Sequence, residues 1–456
     1  MATHGALVLA AGRGTRMNSR TPKVLHRICG KEMVALVVAA AQQAGLGRVV
    51  VVVPSESRPF HDVLSSSVDY AAQVEPLGSG DAVLRARSVV EGPQSIVVLS
   101  GDVPLILPET LTEMTRLHEE RKACITMLTA KNVNPDGLGR VVRTESGAIA
   151  AVIEEDQADE DTVSIAEINA GVYCFRAAWL WENLEKLKPS PRGELLLTDL
   201  VEAAAQQGMT VESVTSKCPE ETLGVNNRVQ LAEAEATLRR RILERWMMGG
   251  VTMPDPSSVY IDSDAEFGQD TVLLPNTHVT GASRVGKHCE IGPNSVVRDS
   301  IIGAGCRITS SVVDSSTLEE DVDVGPFSNI RAGCHLGAGV HIGTSVEIKN
   351  SRIGPGTASG HFSYIGDADL GANVNIGAGT VTCNYDGERK NKTYIGDGAF
   401  IGCDTMLIAP VTIGARSWTG AGAVVTKDVP PDSLAVGVPA KISPKSRPRK
   451  AEGKAQ

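Results

Sequence analysis

The pattern of apolar and polar positions divides the chain into two halves of different construction. In residues 5–230, β-branched runs typical of strands alternate with alanine-rich stretches typical of helices. The strand-like runs lie at 6–9, 49–53 and 96–99, and the helix-like stretches at 34–44, 80–90 and 108–121. This alternation predicts βαβ units around a mostly parallel, Rossmann-like α/β sheet with helices on both faces. Ligands of such sheets bind beyond the carboxyl ends of the strands.

From about residue 280 the apolar spacing changes to six residues. An aliphatic side chain, usually followed by glycine, recurs with one slip at Val324, Ile330, Leu336, Ile342, Ile348, Ile365, Leu370, Ile376, Ile395, Ile401, Leu407 and Ile413. A period of six predicts a parallel β-helix, in which three hexads close one triangular coil. Ser359 occupies a position where the spacing expects an aliphatic residue. The longest interruption, 382–394, is a predicted loop where a ligand can bind, and shorter ones lie near Val313 and Ser351.

One uninterrupted helix is predicted between the halves. Residues 228–248 are mainly good helix formers and end before Gly249 and Gly250. We therefore expect a first domain at 1–227, a linker helix at 228–249 and a second domain at 250–456. The second domain ends in a basic tail, expected to be solvated and disordered, whose cations are Lys441, Lys445, Arg447, Arg449, Lys450 and Lys454.

Charge and composition exclude several classes of protein. The 456 residues include 44 Lys and Arg against 54 Asp and Glu, a formal net charge of -10, which argues against a protein that coats nucleic acid or an anionic membrane. Nine cysteines without a C-x-x-C pair fit a reduced cytoplasm. No apolar stretch approaches the roughly 18 residues of a membrane span. We expect a cytoplasmic protein whose phosphate ligands are held by local groups.

A glycine-rich turn with cations follows the first predicted strand. The sequence there is LAAGRGTRM, and TPK follows shortly after. Gly12 and Gly14 allow backbone N–H groups to approach an anion, and Arg16 and Lys23 supply the positive charge that a polyphosphate needs. The turn is not the dinucleotide-binding fingerprint, because Met17 replaces the third glycine, and no GK[ST] follows to make a P-loop.

Asp102 stands just after the predicted strand at 96–99. A carboxylate at the carboxyl edge of the sheet can hold Mg2+ with few protein ligands. A lone aspartate at the end of a strand is also a common turn former, and its position alone does not decide between the two roles.

The string L-A-A-G-x-G-T-R-M-x4-P-K resembles the sugar nucleotidyltransferases, which join a sugar 1-phosphate to a nucleoside triphosphate. The resemblance implies that Arg16 and Lys23 act in catalysis and that Asp102 and Asn226 hold Mg2+. Asp156 stands where the family commonly has a lysine near the substrate. The implied contacts to UDP-N-acetylglucosamine are Leu9, Ala10, Ala11, Gly12, Lys23, Gln73, Gly78, Ser79, Gly139, Glu154, Asn169 and Asn226.

Polar residues at the interruptions of the six-residue repeat indicate a second site. His361, in SGHFSYIGD, has an imidazole that titrates near cellular pH and can deprotonate an amine attacking a thioester. Arg331 and Lys349 each follow an inward aliphatic residue, so both can reach one phosphate. An inert histidine and two solvated cations are the alternative interpretation of these residues.

The repeat is similar to the left-handed β-helix of hexapeptide-repeat acyltransferases. Nearly the whole chain resembles the bifunctional bacterial N-acetylglucosamine-1-phosphate uridyltransferase/glucosamine-1-phosphate acetyltransferase family. By position, that family implies His361 as the base and a sugar phosphate at Arg331, Lys349, Tyr364 and Asn375. The implied acetyl-CoA contacts are Ala378, Asn384, Tyr385, Cys403, Ala421 and Lys441, of which Cys403 stands where serine is usual and Lys441 is the candidate for a missing late arginine. The family also implies a homotrimer whose neighbouring chains complete each acetyltransferase site.

The resemblance implies a two-step synthesis of UDP-N-acetylglucosamine, the peptidoglycan precursor. Acetyl transfer from acetyl-CoA to glucosamine 1-phosphate would come first, and uridylyl transfer from UTP with release of pyrophosphate would follow. Two other functions stay open. In one, the C-terminal half only binds or assembles, against which His361, Asn384 and Tyr385 argue. In the other, the protein senses a sugar nucleotide without catalysis, against which Arg16, Lys23 and Asp102 argue together.

Overall fold

The structure is a computed structural model that describes residues 4–90, 92–131, 135 and 137–445. The chain forms two compact units, Met1–Leu238 (unit 1) and Arg239–Gln456 (unit 2). The division falls inside a long helix, Arg228–Met248, at the position predicted for the helix between the halves. In the N-terminal part of this helix, Ala234 is buried in a small core of unit 1 with Ile28. No helix in the described part of the chain is long and apolar enough to cross a bilayer.

Unit 1 is built on a mixed sheet, which has nine strands among the described residues. With a separate hairpin of β2 and β3, the strands are β1 His4–Leu9, β2 Arg27–Ile28, β3 Lys31–Glu32, β4 Val49–Pro54, β5 Asp69–Gln73, β6 Ser95–Ser100, β7 Ile125–Ala130, β8 Arg140–Arg143, β9 Ile149–Ile153, β10 Ile168–Arg176 and β11 Val211–Thr215. Their order is β11-β7-β10-β6-β1-β4-β5, with β8 between β10 and β9. β1 is parallel to β4 and β6, whereas β10 is antiparallel to β6 and β7. The predicted mostly parallel α/β sheet is confirmed.

Helices cover both faces of this sheet. In chain order, the α-helices of the described residues are α1 Met33–Gln43, α2 Arg58–Leu64, α3 Ser79–Arg85, α4 Pro108–Glu120, α5 Glu160–Val163, α6 Ala177–Leu184, α7 Asp199–Gln206 and α8 Arg228–Met248, the last of which continues into unit 2. Short 3-10 helices lie at Thr15–Met17, Lys23–Leu25, Ser65–Ser67, Glu155–Gln157, Pro219–Thr222 and Pro256–Ser258. Successive residues of β4 enter different cores, Val51 with Val37 of α1 and Val52 with Val83 of α3. A strand buried on both sides needs an unbroken apolar run, which is the pattern seen in the sequence.

Unit 2 is a parallel β-helix of three sheets, which we call faces 1, 2 and 3. Face 1 consists of Tyr260–Ile261, His278–Thr280, Val296–Arg298, Val312–Asp314, Asn329–Ile330, Val346–Lys349, Ser363–Gly366, Val381–Cys383, Met406–Ile408 and Val424–Val425. Face 2 consists of Glu266–Phe267, Arg284–Val285, Ile301–Ile302, Thr317–Leu318, His335–Leu336, Arg352–Ile353, Ala368–Leu370, Thr393–Ile395 and Val411–Ile413. Face 3 consists of Val272–Leu273, Glu290–Ile291, Arg307–Ile308, Asp323–Val324, His341–Ile342, Ala358–Ser359, Asn375–Ile376, Phe400–Ile401, Trp418–Thr419, Ser433–Val436 and Lys441–Pro444.

The predicted inward positions of the repeat are buried. All the aliphatic residues named for the six-residue spacing are at most 3% exposed, and Ser359 is also fully buried. The predicted start near residue 280 is wrong, because the first coil already begins at Tyr260. Phe267 takes the aliphatic position of that coil, and its ring lies 5.2 Å from the ring of Trp246 near the end of α8. The start of the repeat is difficult to recognise in the sequence because an aromatic residue, which packs against the end of a helix, replaces the expected aliphatic one. The left-handed sense of the coil stays a prediction from the resemblance.

Hydroxyl side chains at the corners join successive coils. Ser295 Oγ donates a hydrogen bond to the carbonyl of Ile308 at 3.1 Å and accepts one from the N–H of Ser311 at 3.4 Å. The hydroxyl thus gives the N–H of Ser311 a partner at a buried corner, while the carbonyl of Ile308 also accepts from the N–H of Gly292 at 2.8 Å.

The predicted disorder of the basic tail is wrong for its first residues. Lys441–Pro444 forms a strand that pairs antiparallel with Ser433–Val436. Lys445 Nζ lies 3.7 Å from the centre of the Trp418 ring, a cation–π contact. The pairing gives the backbone hydrogen bonds that a disordered tail would lack. The other cations of the tail, Arg447, Arg449, Lys450 and Lys454, lie outside the described residues.

Candidate active sites

The predicted phosphate-binding turn lies beside the carboxyl end of a neighbouring strand. β1 and β6 are parallel, with Leu9 in register with Ser100. The N–H of Gly101 donates to the carbonyl of Leu9 at 2.9 Å and joins the two loops. Gly14 has a φ of 59°, and a Cβ there would lie 2.6 Å from the Cβ of Lys23. Glycine at this position therefore lets Lys23 lie against the turn.

Four of the predicted residues of unit 1 meet around one ammonium group. Lys23 Nζ donates to a carboxylate oxygen of Asp102 and, at 3.0 Å, to Oδ1 of Asn226. Arg16 Nη2 donates to the same Oδ1 at 3.0 Å. The N–H of Val225 donates to the carbonyl of Asp102 at 2.8 Å, which joins the loop before α8 to the loop after β6. The cluster combines two cations with two hard oxygen donors, as a nucleotide with a divalent cation requires.

A cavity of about 720 Å³ lies beside this cluster, and we call it the first cavity. The predicted residues that line it are Leu9, Ala11, Gly12, Lys23, Gln73, Gly78, Ser79 and Asp102. Ala10 has its side chain in the core instead, 2% exposed. Gln73 Nε2 donates to Asp81 Oδ2 at 2.9 Å, and Ser79 Oγ accepts from the N–H of Leu197 at 3.0 Å. These two side chains therefore also hold the cavity wall in place.

The remaining predicted contacts of unit 1 lie around Glu154, which lines a second cavity of about 410 Å³. A Cβ on Gly139 would lie 3.5 Å from Glu154 Oε2, and the Gly139 carbonyl accepts from the N–H of Asn169 at 2.8 Å. Burial raises the pKa of Glu154, although the hydrogen bond that Thr198 Oγ1 donates at 3.1 Å opposes the change. Glu194 lines both cavities, so the two groups of predicted contacts border adjoining spaces.

Sequence reasoning missed several lining residues of these cavities. Arg13 lines the first cavity, and Arg192 lines the second. Arg13 lies between the two glycines of the turn, which was a usable signal for a phosphate contact. Arg192 had no such signal, because Arg192 Nη2 meets Asp156 Oδ2, at 2.8 Å, only through the tertiary fold.

Asp367 is the centre of a hydrogen-bonded cluster in unit 2, where face 1 turns into face 2. Asn350 Nδ2 donates to its Oδ1 and Asn384 Nδ2 to its Oδ2, each at 2.6 Å. Tyr364 Oη lies 3.4 Å from Asn384 Nδ2. A Cβ on Gly366 would collide with that hydroxyl, so glycine lets the tyrosine lie close to the coil. The cluster holds two predicted ligand residues, Tyr364 and Asn384, in one place.

Three cations lie near this cluster. Arg331 Nη1 lies 2.8 Å from Oε1 of Glu347, one coil further on. Lys349 lies beside Lys390 and lowers the pKa of that lysine. Burial opposes the change, yet the two asparagine donors and these two lysines hold the pKa of Asp367 below its usual value. Two adjacent ammonium groups repel each other and attract an anion. Lys390 was missed as a residue, although its loop, 382–394, was predicted as a place for a ligand.

The predicted base and three predicted coenzyme contacts lie along one edge of the β-helix, where face 3 turns into face 1. His361 is exposed at this edge, and Ala378, Cys403 and Ala421 follow on the next three coils. Backbone N–H groups of the following coil donate to the carbonyls of Phe362, Ala378 and Cys403 at 2.7, 2.6 and 2.8 Å. These residues therefore form one continuous row along the edge, and His361 is the first of them in chain order.

The other predicted residues of unit 2 lie elsewhere on the coil. Asn375 is exposed on face 3, in register with Phe400. Tyr385 lies in the long loop, and its hydroxyl donates to the carbonyl of Gly387 at 2.6 Å. Lys441 is exposed in the last strand. Within one chain, the predicted acetyltransferase residues are thus spread over two edges and one face.

The fold and the clustered cations of unit 1 define a nucleotidyltransferase, here followed by a β-helix. The family model of the MobA-like NTP transferase domain matches residues 6–208.

Full-length relatives are described as bifunctional protein GlmU. The relative from Heliobacterium modesticaldum is 46% identical over 433 residues, 94% of this chain and 94% of its own length. Those from Caldanaerobacter subterraneus subsp. tengcongensis and Exiguobacterium sibiricum are each 44% identical, over 94% and 95% of this chain and 94% and 97% of their own lengths. The chain belongs to the family of bifunctional GlmU proteins.

Proposed function

We propose that unit 1 is the uridyltransferase and unit 2 the acetyltransferase of a bifunctional enzyme that makes UDP-N-acetylglucosamine. The functional domains are residues 1–227 and 250–456, with the helix at 228–249 as linker. The observation that carries the proposal is the meeting of Arg16, Lys23, Asp102 and Asn226 at the edge of the sheet, in a chain of the GlmU family.

The reaction of unit 1 is uridylyl transfer. A phosphate oxygen of N-acetylglucosamine 1-phosphate attacks the α-phosphorus of UTP, the bond from that phosphorus to the β-phosphate oxygen breaks, and pyrophosphate leaves. The rate of such a transfer depends on the positioning of the two reactants and on neutralisation of the phosphate charge, so the protein needs no covalent nucleophile. Gly12 and Lys23 line the first cavity, which supports a role at the phosphate chain. Arg16 and Lys23 act on the negative charge of the transition state.

The donor set fits Mg2+. The Asp102 carboxylate and Asn226 Oδ1 both accept hydrogen bonds from Lys23 Nζ, so two hard oxygens lie within reach of one cation position. Among the described residues, no three His, Cys, Asp or Glu side chains cluster as metal ligands, so further oxygens would come from the nucleotide and water. When bound, Mg2+ supplies charge neutralisation on the phosphates.

The reaction of unit 2, which supplies the substrate of unit 1, is acetyl transfer on the β-helix. The amine nitrogen of glucosamine 1-phosphate attacks the thioester carbon of acetyl-CoA, the carbon–sulfur bond breaks, and coenzyme A leaves as the thiol. His361 accepts the proton from the attacking amine and passes it to the departing sulfur. Lys349 and Lys390 bind the sugar phosphate, which their adjacent charges support. Acetyl-CoA lies along the edge that carries Ala378, Cys403 and Ala421.

The enzyme is a homotrimer in this proposal. His361 and Asn384 lie on different edges of the β-helix, and Asn375 lies on face 3. Residues spread in this way meet in one site when neighbouring chains pack together. The enzyme is also cytoplasmic in this proposal, which the proposed substrates UTP, acetyl-CoA and sugar phosphates support.

Two coupled assays of the purified chain test the function. With Mg2+, UTP and N-acetylglucosamine 1-phosphate it should release pyrophosphate, and with acetyl-CoA and glucosamine 1-phosphate it should release free thiol. Pyrophosphate without thiol release would favour a β-helix that only binds or assembles. Binding of the sugar nucleotide without either release would favour a sensor.

A further inference from the structure

The second cavity has an unusual set of charges. Besides Glu154, its lining includes the carboxylates of Asp156 and Glu194 and the guanidinium of Arg192. The first cavity, which Glu194 also lines, has two cations, Arg13 and Lys23, beside the carboxylates of Glu75 and Asp102. Carboxylates accept hydrogen bonds from hydroxyl groups and repel a phosphate, whereas the two cations of the first cavity attract it. The second cavity therefore suits the sugar ring of a sugar phosphate, and the first cavity suits its phosphate.

One ion pair crosses the second cavity. Arg192 Nη2 lies 2.8 Å from Asp156 Oδ2, and the side chains are 71% and 39% exposed. A pair with that exposure contributes little to the stability of the fold. Its geometric effect is larger, because it connects the two walls of the cavity, the 3-10 helix Glu155–Gln157 and the loop at 190–196.

The wall that carries Asp156 is held in place from the inside. Glu155 Oε2 accepts from the N–H of Gly137 at 2.6 Å, and its Oε1 lies 3.7 Å from Arg140 Nη2. Arg140 is only 1% exposed, and its Nη1 also donates to the carbonyl of Pro135 at 2.7 Å. A buried arginine with several acceptors fixes this wall, so Asp156 offers a firm anchor to the opposite loop.

The opposite wall is tied down at its base. The N–H of Leu195 donates to the carbonyl of Leu77 at 2.8 Å, and the N–H of Gly80 donates to the carbonyl of Leu195 at 2.8 Å. Towards the tip of the loop, the N–H of Gly193 donates to the carbonyl of Ser190, which belongs to the same loop. The ion pair with Asp156 thus joins the tip of the loop to the fixed wall.

We propose that Arg192 is a positioning residue for the sugar 1-phosphate in uridylyl transfer. The ion pair between Arg192 and Asp156 holds the loop across the second cavity, so that this cavity receives the sugar ring while the phosphate faces Lys23. The inference rests on the proposed uridylyl transfer and adds the way in which the sugar ring is held.

The test compares Arg192→Ala, Asp156→Asn and the double variant with the wild-type full chain. Each single variant should raise the KM for N-acetylglucosamine 1-phosphate about tenfold, with the KM for UTP and kcat within about twofold. The double variant should raise that KM no further than the single variants, because both remove one interaction. Arg116→Ala, which breaks the exposed pair of Arg116 with Glu120, is the matched control and should leave every constant unchanged.

The outcomes separate this inference from the proposed function. An unchanged KM for the sugar phosphate in both single variants overturns the inference and leaves the function standing, as does a double variant whose effect is the product of the two. A wild-type chain that releases no pyrophosphate refutes the function itself. Thiol release from acetyl-CoA should be the same in all variants, and its loss would show that the effect arises from misfolding and overturn the assignment to Arg192.

Discussion

The ammonium of Lys23 lies between the carboxylate of Asp102 and the amide oxygen of Asn226 and donates a hydrogen bond to each. These are the two oxygens that we propose as ligands of Mg2+. A lysine that bonds to both competes electrostatically with a divalent cation at the same place. In the proposed mechanism Lys23 would therefore tune the metal site as well as bind phosphate, and the negative charge of the nucleotide would hold both cations together.

Removal of Lys23 separates these two effects. Lys23→Ala should bind Mn2+, used as a probe for Mg2+, about tenfold more tightly in the absence of nucleotide, because the competing charge is gone. The same variant should lose about 100-fold in kcat for uridylyl transfer, since transition-state charge is no longer neutralised. Titration of Mn2+ by electron paramagnetic resonance measures the first effect. Asp102→Ala is the control that should abolish binding, and weaker binding of Mn2+ to Lys23→Ala would contradict the competition.

His361→Ala should separate the two activities. Loss of the general base lowers the acetyl-transfer rate by about 100-fold to 10,000-fold, while uridylyl transfer stays within about twofold. His288→Ala is a matched control, because His288 is an exposed histidine of the same β-helix that is far from this edge in the order of coils. Asp102→Ala should show the reverse pattern. Parallel loss of both activities in either variant would refute the division between the units.

The adjacent lysines of unit 2 predict a specific defect in binding. Lys349→Ala and Lys390→Ala should each raise the KM for glucosamine 1-phosphate about tenfold and leave the KM for acetyl-CoA unchanged. Steady-state assays with each substrate varied in turn measure this. Lys287→Ala, on an early coil, serves as control. In Lys349→Ala the pKa of Lys390 should rise, because Lys349 is the main cause of its lowering, and NMR titration of the labelled ammonium follows it.

An ion pair in unit 1 predicts how stability depends on pH. Arg143 donates to Glu167 from Nε at 2.9 Å and from Nη2 at 2.7 Å, and these hydrogen bonds hold the pKa of Glu167 below its usual value although burial opposes the change. A carboxyl whose pKa falls on folding contributes stability that is complete above its unfolded pKa, about 4.3, and is lost as the pH falls through the folded pKa.

Glu167→Gln should therefore unfold more easily than wild type at pH 7, by about 1–2 kcal/mol, and the difference should shrink below about pH 4. Calorimetric melting of unit 1 between pH 3 and 7 provides the measurement. Glu120→Gln, which removes the charge of an exposed pair with Arg116, is the control, and its difference in stability from wild type should not change with pH. If the difference in stability between Glu167→Gln and wild type is also independent of pH between pH 3 and 7, the pKa of Glu167 is not lowered in the folded chain.

The fold was accessible from the sequence because its signals are local. Val49–Pro54 and Ser95–Ser100 are apolar runs buried on both sides, and hexads such as Ile330 and Leu336 repeat their pattern in every coil. The start of the β-helix was missed where the local signal is broken, since Phe267 packs on Trp246. The strand Lys441–Pro444 was missed because its partner strand, and not its own composition, holds it in place.

Much of the first site was also predictable, since the glycine turn and Asp102 come just after strands β1 and β6, and Lys23 belongs to the sequence motif that begins in that turn. Arg192 and Lys390 were not, because each lies beside a charged neighbour from another element, Asp156 of a 3-10 helix and Lys349 of a strand, only in the folded chain.

The sequence by itself determined the two architectures, the helix between them and the glycine turn that marks a nucleotidyltransferase, because periodicity and turn chemistry act over a few residues. Only the tertiary structure decided that Lys23 bonds to both Asp102 and Asn226, and that an ion pair joins two walls of the second cavity. Those contacts join residues far apart in the chain, and their distances depend on how whole strands and loops pack rather than on any local pattern.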